Sequence, residues 1–335
     1  MSDPRLPADA AAEPPTAQLL AHEESIEQAY FFRTFGERID DNRPAQEVLR
    51  TVGEEILATT KLPLAIEFVA GEVERRGLMH PAMERLGHYF APFQTFVIAR
   101  AEEDDSRFPF RTALEVLQAE AEYRAGLHEA SDGRGRRSGT QATPAGLFTF
   151  QFEAIARNRL GYAEGLAAMA GDPLYWTPDE RGRELGPHWR RWLSGLAHRI
   201  GTTDFGDLVY GRSEQFVVDR RRMLGESGWE PPQPTLFGQQ EGRIAKANRG
   251  RDPLYMFAAL QRQLGYPRVP RIARKSRERQ LDPEIELRFQ RLESKLLMLE
   301  QEQKGSLDLS EFMAKEMQTG PELRKGPDGK PRFDD

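Results

Sequence analysis

Glu84 and His88 stand four residues apart, one turn of a helix, a separation at which two side chains can share a metal ion. A carboxylate metal centre inside a helical bundle needs more, namely inward-facing acids with a Glu-x-x-His spacing on each of two helices. Neither copy of that spacing occurs, His80 and His88 lie two turns apart, and Glu27, Glu54, Glu55, Glu72, Glu84 and Glu122 read as surface acids of helical segments. The chain has no cysteine, which excludes disulfides, thiolate metal sites and cysteine nucleophiles together. No glycine-rich phosphate loop, nucleophile elbow or His-Glu-x-x-His is present. No cofactor or metal is implied, and no catalytic residue is assigned.

Glu153 and Arg157 are also one turn apart, with Asn158 next in line, inside an aromatic-rich segment. A buried arginine or asparagine must find hydrogen-bond partners. The trio is therefore expected to be a structural polar network; the alternative is the lining of a ligand pocket or of an enzymatic bundle.

A third group is cationic. Arg268, Arg271, Arg274, Lys275, Arg277 and Arg279 form a basic arm broken by a single acid, Glu278. Paired arms of this kind occur in leucine-zipper DNA binders, but Pro267, Pro270 and Pro283 interrupt what would have to be a continuous helix. Anion binding, including nucleic acid, is kept as an alternative and is not favoured; docking onto the acidic first block of the chain, residues 1–130, comes first.

Directly after the arm comes a heptad. Ile285, Phe289, Leu292, Leu296 and Leu299 recur at alternating steps of four and three, the signature of a coiled-coil seam. Ile285, Leu292 and Leu299 take the d positions, Phe289 and Leu296 the a positions. In a parallel pair Arg288 then faces Glu293, and Lys295 faces Glu300, of the other chain, whereas an antiparallel pair opposes like charges. A parallel homodimer is expected. The competing arrangement is an amphipathic helix packed on its own body, for which the off-seam Leu287, Leu297 and Met298 argue.

These groups need a frame, and helical periodicity supplies it almost everywhere, with few β-branched runs of period two. The predicted fold is all-α: a multi-helix bundle body, a C-terminal coiled-coil-like helix and disordered termini. Residues 1–20 read as a polar tail, 21–126 as a first helical bundle, 127–143 as an exposed loop or linker and 144–266 as a second helical region packed on the first. The basic arm then covers 267–281, the coiled-coil-like helix 282–305, a short helix 306–319 and a disordered tail 320–335. Within this frame the pattern predicts one helix kinked at Pro92, one running from Pro144 to about Ala170, and one from Asp204 to Leu224. Asp-Pro-Leu-Tyr occurs at 172–175 and again at 252–255, which reads as local helix-start chemistry.

The net charge of −6 is unevenly spread. Residues 1–130 carry a net −11 and residues 131–281 a net +9, so the two blocks can attract each other. No apolar run reaches the roughly 18 residues of a membrane span, and the first residues lack the basic start and apolar core of a signal peptide. A cytoplasmic protein without a membrane partner is expected.

The phrases EQAYFFRTF, EEILATTKLPLAI, ARNRLGY and DPLYMFAALQRQLGYPRVPR resemble an uncharacterised all-helical protein family of planctomycete-type bacteria. That resemblance brings no activity and no functional residues. The expected function is a non-enzymatic, self-associating helical scaffold or adaptor acting on an unidentified protein partner.

Overall fold

The structure, a computed structural model, describes residues 18–39, 43–127, 129–131, 137–139, 142–176, 186–197 and 205–272. All of them fall in one compact unit that ends at Ile272. The basic arm beyond Ile272, the heptad, the short helix predicted at 306–319, the tail predicted at 320–335 and residues 1–17 of the first tail lie outside the described residues.

The first half is built from α1 (His22–Arg38), α2 (Ala45–Glu55), α3 (Leu62–Arg76), α4 (His80–Arg85), α5 (Pro92–Ala101) and α6 (Phe110–Arg124). Helix α1 packs against α6, and α2 against α3. The apolar faces of these helices supply Phe31, Phe32, Phe35, Leu49, Val69, Phe93 and Leu117, all essentially inaccessible to solvent. Helix α3 stops at Gly77, whose φ of 73° is cheap only without a side chain. The predicted kink at Pro92 is a full break. Chain segment 86–91 turns, and Pro92 opens a new helix, where its missing N–H costs nothing.

Carboxylates from neighbouring helices fasten the turns of this half. Glu24 Oε1 accepts from Lys61 N at 2.7 Å, and Glu27 Oε2 accepts from Leu57 N at 3.1 Å, so α1 holds the loop that leads into α3. Glu102 accepts from Met79 N at 2.6 Å and from His80 N at 2.9 Å, placing negative charge at the start of α4.

Two three-residue strands, β1 (Glu129–Ser131) and β2 (Arg137–Gly139), pair antiparallel where the sequence predicts a loop. The second half follows with α7 (Pro144–Asn158), α8 (Tyr162–Ala170), a 3-10 turn (Pro173–Trp176), α9 (Gly186–Ala197), α10 (Phe205–Gly211), α11 (Glu214–Leu224), α12 (Gln239–Ala247) and α13 (Pro253–Leu264). The single helix expected from Pro144 to Ala170 is interrupted at Arg159 and Gly161, both with positive φ. That expected from Asp204 to Leu224 divides at Ser213, whose hydroxyl caps α11 by accepting from Phe216 N at 3.3 Å. Helix α12 is not foreseen by the sequence pattern, because it lies in a Pro-Gly-rich neighbourhood.

Helix α7 is the centre. Twelve of its fifteen residues are buried, which requires neighbours on every side, and α6, α8 and α13 provide them. Phe148 meets Phe152, Trp189, Trp192 and Phe237 with ring centroids 5.4–6.2 Å apart. Phe152 stacks on Phe205 at 4.3 Å. Among the described residues no helix is long and apolar enough to cross a membrane.

Candidate functional site

Helix α6 places Glu120 and Arg124 one turn apart on its buried side, the 3-10 turn opens at Asp172, and α7 directs Gln151 toward both. Arg124 donates to Glu120 Oε1 at 3.0 Å and to both oxygens of Asp172, the contact to Oδ1 being 3.2 Å. Gln151 donates to Glu120 at 2.6 Å and to Asp172 at 3.1 Å, and its own oxygen accepts from Tyr175 at 3.0 Å. Asp172 also accepts from Leu174 N at 3.0 Å, which fixes the turn.

This cluster holds two carboxyls against one guanidinium, with Glu120 and Asp172 fully buried. Burial raises the Glu120 pKa, and the nearby Asp172 charge adds to the rise; Arg124 and Gln151 oppose it. Burial opposes the charge on Arg124, but Asp172 and Glu120 outweigh that and raise its pKa, so it stays cationic. Burial likewise pushes the Tyr175 hydroxyl well above its ordinary range. Glu120 Oε2 and Arg124 Nε have no hydrogen-bond partner.

A second polar relay stands across from the first. Ala91 N donates to Gln94 Oε1 at 3.1 Å, and Gln94 Nε2 donates to Gln28 Oε1 at 3.0 Å. A backbone N–H can only donate, so the Gln94 oxygen must face it, and the Gln28 oxygen must in turn face Gln94. The Gln28 amino group is thereby turned to the far end of the relay, where it has no partner of acceptable hydrogen-bond geometry. It lies near enough to Tyr89 to lower that hydroxyl's pKa slightly, against the larger rise from burial and from Glu24. Tyr89 itself donates to Glu24 Oε2 at 2.7 Å.

Between the two relays lies a cleft of about 490 Å³. Gln18, His22, Ser25, Gln28, Tyr89, Gln94 and Arg124 supply its polar lining, while Leu19, Leu20, Ala91, Ala125, Ala142, Pro173 and Leu174 supply the apolar part. The volume suits a small organic molecule, and two residues of the lining, Gln28 and Arg124, each carry one unpartnered donor, Nε2 and Nε, both atoms buried from solvent.

The sequence-predicted trio lies elsewhere, with Glu153 and Asn158 buried and Arg157 partly so. Glu153 accepts from Arg157 and, at 2.7 Å, from the Tyr266 hydroxyl. Asn158 donates to Pro270 O at 3.0 Å and accepts from Ile272 N at 3.2 Å. These contacts fasten the strap 266–272 to α7. Arg268 and Arg271 sit on that strap, exposed; Arg274, Lys275, Arg277 and Arg279 lie outside the described residues.

Glu84 and His88 are exposed, and no group of metal-binding side chains occurs among the described residues. Glu72, expected on the surface, is buried and gathers Arg75, Arg76 and Arg85. The cleft cluster escaped sequence reading, although Glu120 and Arg124 show helical pairing and the first Asp-Pro-Leu-Tyr contains Asp172. Asp252, in the second copy, does cap a helix, accepting from Leu254 N at 2.9 Å.

No family model, curated protein or solved structure matches the chain.

Proposed function

We propose that this protein binds a small, mainly apolar molecule that presents an acceptor group to the polar wall of the cleft. The observation that carries the reading is a cleft of about 490 Å³ whose lining includes the buried Gln28 and the partly buried Arg124, each with one unpartnered donor. Arg124 already neutralises Asp172, so the site offers little net positive charge, and a carbonyl or amide suits it better than a free anion.

The test is ligand-observed NMR with paired aliphatic and aromatic amides, ketones and carboxylic acids, on the native chain and on Leu174→Trp, which fills the cleft. Saturation transfer that disappears in Leu174→Trp supports the reading. If no probe distinguishes the two proteins, the cleft is not a binding site.

A second reading is self-association through Ile285 to Leu299, supported by the complementary Arg288–Glu293 and Lys295–Glu300 register in the sequence. Light scattering on the full chain, on a version ending at Leu281 and on Leu292→Lys with Leu299→Lys tests it. A full-length dimer and folded monomeric variants support the seam, whereas a full-length monomer refutes it.

A further inference from the structure

The strap 266–272 brings together charges that are far apart in the chain. Asn158 brackets the backbone of Arg271, bonding the carbonyl before it and the N–H after it. The next residue along from Asn158 is Arg159, the C-cap of α7, exposed and held at φ 57°. Arg159 is 112 residues from Arg271 in sequence and directly follows the residue that clamps the backbone on either side of it. Arg268 joins them one step earlier on the strap.

Along the strap, Tyr266, Pro267 and Val269 turn inward and are buried, while Arg268 and Arg271 turn outward. The outer surface is therefore cationic, with the apolar side chains spent on the core. Among the described residues, no carboxylate pairs with Arg159, Arg268 or Arg271; Glu153, on the same helix as Arg157, is occupied by Arg157 and Tyr266. Three unpaired guanidiniums on the outer side present planar donor forks of fixed positive charge. They suit a phosphate backbone, which takes arginine forks without a hydrophobic contribution. In sequence the same charge continues through Arg274, Lys275, Arg277 and Arg279, within a segment of net +9 from residue 131 to 281.

We infer that Arg159, Arg268 and Arg271 form one cationic surface that holds the phosphodiester backbone of a nucleic acid. Arg159 is the decisive member. If the basic arm acts as an independent tail, a residue on α7 contributes nothing; if the strap builds a surface, Arg159 contributes as much as Arg271.

Fluorescence anisotropy across a salt series tests this, using a mixed-sequence duplex DNA and a single-stranded RNA as separate probes and the full chain throughout. Arg159→Asn keeps a residue tolerant of positive φ, Arg271→Gln removes the strap charge, and Arg222→Gln on α11 serves as an exposed control. Arg159→Asn and Arg271→Gln should each weaken binding several-fold and reduce the slope of log K against log salt by about 1. Arg222→Gln should change neither.

The inference is overturned if Arg159→Asn binds as the native chain does, if neither nucleic acid binds at about 100 µM in low salt, the weak end of non-specific affinity, or if polyglutamate competes as well as the nucleic acids. The two probes decide between DNA and RNA. Circular dichroism of each variant separates lost charge from lost fold.

Discussion

The Tyr266 hydroxyl donates to Glu153 Oε2 at 2.7 Å and also lies 3.0 Å from Phe257 O, closing the end of the compact unit onto its central helix. Tyr266 is 113 residues from Glu153, so this pair and the Asn158 clamp decide whether the last strap is part of the fold or a tail hung from it.

Tyr266→Phe should keep the ring packing and lose both bonds, leaving a Glu153 oxygen and the Phe257 carbonyl less well satisfied. The expected cost is about 1–3 kcal/mol, the penalty for buried polar groups without partners. Urea unfolding measures it, and a midpoint equal to the native one removes any role for the hydroxyl.

For Asn158→Ala the loss is local as well as global. The Ile272 amide gives up its acceptor, and hydrogen exchange at 268–272 should accelerate well beyond the change seen in α6. Uniform exchange across both regions contradicts the clamp.

Arg124→Met takes the cation from between two buried carboxyls while keeping an unbranched apolar stem in its place. Breaking a buried charge cluster in this way typically costs about 3–5 kcal/mol. Thermal unfolding at neutral pH should show a large drop, and a variant of native stability means that the cluster relaxes freely.

Glu120 gives a pH signature with a definite sign. Its folded pKa lies above the ordinary glutamate value of 4.5, chiefly through burial. As pH rises past 4.5 the unfolded chain ionises first, so the folded state loses relative stability until the folded pKa is passed. Glu120→Gln removes that slope. Its stability relative to the native protein should improve from acidic toward neutral pH in paired denaturation curves, and parallel curves contradict the shifted acid.

At Gly242, an added methyl group meets Ser213 Oγ at 2.2 Å and Gln215 Cβ at 2.6 Å. Gly242→Ala should therefore force α12 away from the start of α11 and cost about 1–3 kcal/mol. Denaturant midpoints check the expectation; a native midpoint means the two helices part without penalty.

The helical class was legible because apolar periodicity is a property of each segment alone. The Asp-Pro pair at 252 and 253 marks a helix start that the structure keeps, with Asp252 accepting from Leu254 N. Breaks at Pro92, Arg159 and Ser213 were harder, since apolar residues continue on both sides and only the backbone turn separates the helices. The cleft was illegible for a different reason. Glu120, Gln151 and Asp172 sit on three elements, and only tertiary packing reveals that one arginine serves two acids. Arg157 and Asn158 were visible as polar residues in an apolar helix, but their partners, 266–272, lay beyond any local pattern.

Helix α7 carries a consequence for how the chain can be divided. Its residues are surrounded by elements from both halves, so cleavage near the two short strands leaves one fragment without its central column and the other with that column half bare. The fragments should not fold apart but should reassemble when mixed, which makes the connection between α6 and α7 a place to cut this protein into a complementing pair.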